Sequence, residues 1–299
     1  MEQNQKIFGL TNDFLFKAVF GQESNKKLTI CLLNALLQLD EHHKIKEIEI
    51  LNPFNAQNYK DEKLSVLDTR VKDVAGKYYN IEMQVRDEED FIKRFSYYLA
   101  KLYSCQLTKN EPYSDLKPAI GIAIIGYDLF PQSNNIDEKF VFKNDLNNIS
   151  FNDVMTMHFI GLTKLSKNKP LKDMTRFEKW VYLLYNSKKY GLKDSELPFE
   201  MESEDGMKEV VDCVKKSNSD KEMRALMEDR ENSQISLSLM RGSAYRKGRQ
   251  DGYDEGIEKG KIKALVSLVY NGIITKQQAA ESLNMTVESF ETAINENIN

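Results

Sequence analysis

Leu64-Ser65-Val66-Leu67-Asp68-Thr69-Arg70-Val71-Lys72-Asp73-Val74-Ala75-Gly76-Lys77-Tyr78-Tyr79-Asn80-Ile81-Glu82-Met83-Gln84-Val85 decides the fold. Two alternating runs flank Val74-Ala75-Gly76. This pattern predicts an antiparallel hairpin, with Gly76 in the left-handed conformation that a three-residue loop needs. Such a loop places Asp73 opposite Lys77, Arg70 opposite Asn80 and Asp68 opposite Glu82. Leu67, Thr69, Val71, Ile81, Met83 and Val85 then share a mostly apolar face. Asp68, Arg70, Lys72, Asn80, Glu82 and Gln84 share a polar one.

Two carboxylates directly opposite each other are destabilising, with Cβ atoms about 5 Å apart. A hard divalent cation removes that conflict, because Mg²⁺ binds one or two carboxylates and retains waters for a phosphate substrate. Gln84 projects on the same face as Glu82, two residues on. Spacing alone also allows a solvated hairpin face with incidental acids.

Outward from the hairpin, the patterns alternate between helix and strand. Thr11-Asn12-Asp13 starts a helix carrying Phe14, Phe16 and Val19, and a second helix carries Leu28, Leu32 and Leu36. Ile45 to Leu51 reads as a strand ended by Asn52-Pro53. Asp87 to Gln106 is a long amphipathic helix with Phe91, Phe95 and Leu99 near one face. Ala119 to Ile125 is the kind of apolar run that is buried on both faces, and Met157 to Leu165 is a further candidate strand.

Three segments follow from this reading: a mixed core over 1–165, a helical cap completing it over 166–240, and a tail over 241–299. In the tail Gly248, Gly252, Gly256 and Gly260 recur every fourth residue. They form either a close-approach seam on a helix or a flexible charged linker. Lys276 to Leu283 and Val287 to Phe290, separated by Asn284-Met285-Thr286, resemble a helix-turn-helix. Helical packing or self-association fits that pattern as well.

Composition narrows the classes. Cys31, Cys105 and Cys213 form no CxxC pair, which suits reduced thiols in a cytoplasm and argues against a cysteine zinc site. No apolar run reaches the roughly 18 residues that span a membrane, and Met1 to Gly9 lacks the pattern of a secretory signal. The formal charge of −4 counts against a generally basic nucleic-acid binder. The stretch from Arg241 to Lys263 nevertheless carries seven basic side chains against four acidic ones, a local patch that attracts phosphate.

Asp68 followed by Glu82-Met83-Gln84 resembles the D…(D/E)-x-K/Q signature of the PD-(D/E)XK nuclease superfamily. More closely, the chain resembles the Rpn family of recombination-promoting nucleases, also described as transposases. Asn12 to Gly21, Leu67 to Gln84, and Arg94 to Tyr103 with Gln106 carry the resemblance, which covers about 10 to 240.

The resemblance implies an α/β (α+β) fold: a restriction-endonuclease-like core with a mixed central sheet flanked by helices, and a helical C-terminal extension. It implies a cleft shared by the first helix, the hairpin and the long helix. It further implies a metal-dependent DNA endonuclease. Asp68 and Glu82 would be metal ligands, with Asp13 as an additional acid. Gln84 stands where most of the superfamily has lysine.

Mg²⁺ is the implied cofactor, with Mn²⁺ as a substitute. DNA is the implied partner, and a homodimer through the C-terminal helices is a further expectation. Gln84 can orient water but carries no charge. Arg70, Lys17 and Arg94 are therefore candidates for a phosphate-facing cation, and Gln106 for site support. The competing reading is a nuclease fold that has lost catalysis and binds DNA or protein through its C-terminal helices.

Overall fold

The computed structural model describes residues 6–52 and 69–297. Its contacts divide the chain into two compact units, Met1–Glu231 and Asn232–Asn299.

The first unit is built on a mixed sheet, with six strands among the described residues in the order β1-β2-β3-β4-β6-β5. β1 (Ile48–Ile50), β2 (Thr69–Asp73) and β3 (Tyr78–Gln84) pair antiparallel in sequence. β4 (Ala119–Ile125) lies parallel to β3 and to β6 (Ser150–Gly161), and β5 (Asp137–Lys143) closes the far edge antiparallel to β6.

The hairpin register agrees with the sequence reading. Arg70 sits opposite Asn80, Asp73 N donates to Lys77 O at 3.0 Å, and Gly76 has φ +85°. The Tyr79 hydroxyl donates to Asp73 Oδ2 at 2.8 Å and Lys77 N donates to Asp73 Oδ1 at 2.9 Å, so Asp73 ties the turn from both sides. The predicted Asp68–Glu82 pairing lies outside the described residues on its Asp68 side.

Because successive side chains on a strand alternate faces, β3 divides its residues between two environments. Tyr79, Ile81 and Met83 join the main core. That core also holds Phe14, Leu15, Phe16 and Phe20 of α1 (Asp13–Phe20) and Leu32 and Leu33 of α2 (Lys26–Leu36). Trp180 and Leu184 of α4 (Arg176–Asn186) and Val210 and Val214 of α6 (Met207–Ser219) complete it. A short helix α5 (Phe199–Glu202) adds Met201.

Asn80, Glu82 and Gln84 face the other way, beneath α3 (Phe91–Ser104). The apolar stripe of α3, Phe91 and Phe95, packs with Ala123, Ile125 and Phe159. Gly121 makes this approach feasible: a Cβ there would lie 2.8 Å from the Phe95 ring. The polar face of the hairpin is therefore not a solvated surface at β3. Asn80 is 1 % exposed, and Glu82 and Gln84 are each 8 % exposed.

Strand boundaries differ from the sequence reading: β1 is shorter than the expected Ile45 to Leu51, and the last strand is displaced. The strand expected over Met157 to Leu165 instead runs over Ser150–Gly161, and Leu162 begins a short 3-10 turn. Its partner β5, which the sequence reading did not mark, has charged residues at both ends, and the pairing shifts register between Val141 and Phe142.

Helix α4 starts in a capping box: Thr175 Oγ1 accepts from Glu178 N, and the Glu178 carboxylate accepts from Thr175 N. Lys169 Nζ also reaches both Glu178 oxygens at 2.7 Å. Burial pushes the Glu178 pKa up, but the Lys169 and Thr175 hydrogen bonds outweigh it, and the net displacement is downward. This stabilisation is complete above the ordinary glutamate range and is lost as pH falls through the depressed value. Thr175→Ala is expected to cost about 1 kcal/mol of stability, read by thermal denaturation at neutral pH. The difference from the parent should narrow as the medium is acidified.

The long helix α7 (Lys221–Tyr270) begins in the first unit, where Leu226 and Met227 are buried in the core, and continues into the second. The repeated glycines lie on this helix rather than in an irregular linker. A Cβ at Gly248, Gly252, Gly256 or Gly260 would meet nothing within 4 Å.

In the second unit Ile262 packs with Ala279 and Ala280 of α8 (Lys276–Ser282) and Phe290 of α9 (Val287–Asn297). Thr275 and Thr286 cap the last two helices through Gln278 N and Ser289 N. Among the described residues, no helix is long and apolar enough to cross a membrane.

Candidate active site

The second half of β3 brings a carboxylate and an amide into a buried setting. Burying a carboxylate is costly unless it is paired and hydrogen-bonded. Arg94, in the first turn of α3, supplies one partner. Its Nη2 donates to Glu82 Oε1 at 3.2 Å and to Gln84 Oε1 at 3.2 Å. Its Nη1 donates to the Glu88 carboxylate on the loop before α3. Gln84 Nε2 donates to Arg86 O at 2.6 Å, which fixes the amide with its oxygen turned towards Arg94.

The guanidinium thus gathers Glu82, Gln84 and Glu88 around one cation. Burial pushes the Arg94 pKa down, and the Glu82 and Glu88 carboxylates more than reverse that, so it stays charged. Parallel pairing continues the site onto β4. Glu82 lies opposite Ala123, Gln84 lies opposite Ile125, and Gly126 N donates to Gln84 O at 2.9 Å.

Tyr127 follows immediately. Burial first, and then the charges of Asp87 and Glu88, push its phenol up to about 12. Its hydroxyl is buried with no hydrogen-bond partner among the described residues. The same holds for both side-chain polar atoms of Asn80, two positions before Glu82 on the same face.

Of the other expected site residues, Arg70 shares the Glu82 face as the cross-strand partner of Asn80, whereas Asp13, Lys17 and Gln106 are held by other contacts. Asp13 and Lys17 belong to α1, which packs on the Tyr79–Ile81–Met83 face of the sheet rather than the Glu82 face. Asp13 is gripped by Arg230 of α7: Nε donates to Oδ1 at 3.1 Å and to Oδ2 at 3.0 Å, and Nη2 donates to Oδ2 at 2.6 Å. Asn12, not Asp13, caps α1 by accepting from Leu15 N. Lys17 is buried, at 7 % exposure.

Gln106 is not beside Glu82. Its amide closes a two-way bond with the Lys117 backbone, at 2.9 Å from Nε2 to O and 2.8 Å from N to Oε1. Lys117 precedes β4, six residues and thus about 20 Å along an extended chain from Ala123, the register partner of Glu82. Arg70 faces Asn80 across the hairpin and is half-buried.

Sequence reasoning missed Glu88, Tyr127 and Arg230. Glu88 and Tyr127 follow the ends of the two strands that carry or flank the motif, a positional signal that was available. Arg230 is separated from Asp13 by 217 residues, and no local pattern marks it.

The donors on the Glu82 face are oxygens: one carboxylate and the amide oxygens of Gln84 and Asn80. Hard oxygen sets of this kind suit Mg²⁺ or Mn²⁺. The partnerless amide of Asn80 beside Glu82 is consistent with a polar group still to be accommodated there. Among the described residues, no three His, Cys, Asp or Glu side chains are grouped as a ligand set. Asp68 lies outside those residues.

No curated protein and no solved structure matches the chain. A family does match, over residues 10–238, which span the sheet, α3 and the start of α7. The chain belongs to the PD-(D/E)XK nuclease family transposases.

Proposed function

We propose that this chain is a divalent-metal-dependent DNA endonuclease whose centre is built on Glu82, Gln84 and Asp68. The observation that carries the reading is the convergence of the Glu82 carboxylate, the Gln84 amide oxygen and the Arg94 guanidinium. It occurs at the position of the family's acid-x-amide motif. Glu82 and Asp68 would hold the cation, which supplies Lewis acidity and an acidified water when bound.

The chain's own groups have distinct tasks. Gln84 Oε1, held in direction by the Nε2–Arg86 bond, accepts a hydrogen bond from the attacking water and aligns it with the scissile phosphorus. Arg94 supplies the positive charge that lysine provides elsewhere in the superfamily, and its fork suits phosphate oxygens. Asp13, with both oxygens on Arg230, serves better as a structural anchor than as a ligand.

The exposed basic side chains of the second unit, Arg246, Lys247 and Arg249 among them, favour a DNA contact by the tail in addition. Self-association through the same helices is part of this reading.

The test is incubation of the full chain with supercoiled plasmid and with single-stranded DNA, in Mg²⁺, Mn²⁺, Ca²⁺ or EDTA, beside Asp68→Ala. Cleavage is expected in Mg²⁺ and Mn²⁺, and none in EDTA or with Asp68→Ala. Undiminished cleavage in EDTA would sink the metal assignment. A mobility shift without cleavage in any metal would favour the non-catalytic binding module.

A further inference from the structure

We propose that Arg94 is an exchangeable counter-ion: it holds Glu82 before metal binds, releases that oxygen to the metal, and turns the freed nitrogen to the substrate phosphate. Glu88 is the pivot that retains it. This inference rests on the metal-site reading of Glu82.

The guanidinium is divided between two acids in different surroundings. Nη2 reaches inward to Glu82, whose side chain is 11 % exposed, and Nη1 reaches outward to Glu88, at 27 %. A carboxylate as covered as Glu82 needs a positive neighbour, and Arg94 is one in the absence of metal.

A divalent cation taking the same carboxylate supplies that charge and repels the guanidinium a few ångströms away. Only one of the two contacts need break, because the planar fork presents separate nitrogens. Nη1 can stay on Glu88 while Nη2 swings. The other acceptor of Nη2 is the neutral Gln84 oxygen, a weaker hold than a second carboxylate. In a chain with lysine at position 84, two cations would compete there; here Gln84 leaves the field to Arg94. The arrangement couples the two ligands of the reaction: metal on Glu82 makes a phosphate-binding cation available.

Coupling of this kind is reciprocal, so removing the Arg94 charge must tighten metal binding while weakening DNA binding. The probe is Mn²⁺ alone, titrated into the full chain without DNA and read as free Mn²⁺ by electron paramagnetic resonance. Arg94→Gln is expected to bind Mn²⁺ about five-fold more tightly or better. DNA affinity, measured in Ca²⁺, should fall.

Glu88→Gln removes one charged acceptor of the guanidinium and leaves it Glu82, so it should shift Mn²⁺ affinity the opposite way. This second, isosteric substitution, at a half-buried loop residue, also keeps the test available should Arg94→Gln not fold. Unchanged or weaker Mn²⁺ binding by Arg94→Gln, or tighter binding by Glu88→Gln, overturns the exchange. If the parent chain binds no Mn²⁺, or Glu82→Gln binds it as the parent does, the metal site itself is overturned and the exchange with it.

Discussion

Glu82→Gln is expected to reduce phosphodiester cleavage by about a thousand-fold or more. A positioned divalent cation contributes several kcal/mol, and each 1.36 kcal/mol is a factor of ten. The isosteric amide keeps an oxygen for Arg94 Nη2 and removes only the charge. Melting of the variant should fall less than for a fully shielded pair, because Arg94 is 36 % exposed and keeps the Glu88 carboxylate, so a near-complete loss of cleavage is separable from loss of fold. Glu82→Ala is the harsher version: it also takes away one of the oxygens around Arg94, so it should lose both cleavage and some stability. Parental cleavage rates from both purified variants in Mg²⁺ would remove Glu82 from the site.

Asp13→Asn is expected to act on stability instead. The Asp13 side chain is 10 % exposed and Arg230 is 19 % exposed, so the pair is shielded from water on both sides. Removing the charge from one member of such a pair costs about 3 kcal/mol, near the low end for buried pairs because Arg230 keeps some solvent. For a unit of this size that is a fall in melting temperature of about 6–12 °C.

The double variant Asp13→Asn with Arg230→Gln should recover part of the loss, since neither charge is then buried alone. Mn²⁺ affinity should be unchanged in both. A variant that melts like the parent but loses Mn²⁺ would return Asp13 to the ligand set and contradict its role as the anchor of α7.

The two substitutions probe the motif acid Glu82 and the additional acid Asp13 that the family resemblance offers, and the packing of the sheet gives them different surroundings. Glu82 is on β3, where a period of two sends alternate side chains to opposite faces, and α3 covers its side. Asp13 lies on a helix against the other face. The resemblance to the family implied one cleft for both. In the structure α1 packs with Tyr79, Ile81 and Met83, and Arg230, 217 residues on in sequence, meets Asp13.

Much of the molecule was legible in the residues. The hairpin register followed from a three-residue loop with glycine at its left-handed position, because turn geometry and alternation are local constraints. The start of α1 at Asn12, the apolar β4 and the stripe of α3 were readable for the same reason. Edge strand β5 and the first half of β6 were not, since β5 is charged at both ends and half-buried at most, so no apolar run announces the edge.

In the site, the motif residues Glu82 and Gln84 and the candidate cation Arg94 were identified before their contacts were known. For Gln106 the sequence left open site support or an amide bond within the protein, and its amide bonds the Lys117 backbone. A helix-borne amide near a motif looks the same in sequence whether it faces a phosphate or closes on the backbone of Lys117.

The sequence by itself determined the hairpin, the helix and strand periods around it, and the motif that places the chain in its family. All of these depend on neighbours a few residues apart. Only the tertiary structure decided which charges meet: Arg94 with Glu82, Gln84 and Glu88, and Arg230 with Asp13. Those pairings are imposed by burial. A carboxylate taken out of water needs a cation or protein donors, and which cation can reach it depends on how α3 and α7 pack, at separations that no local pattern records.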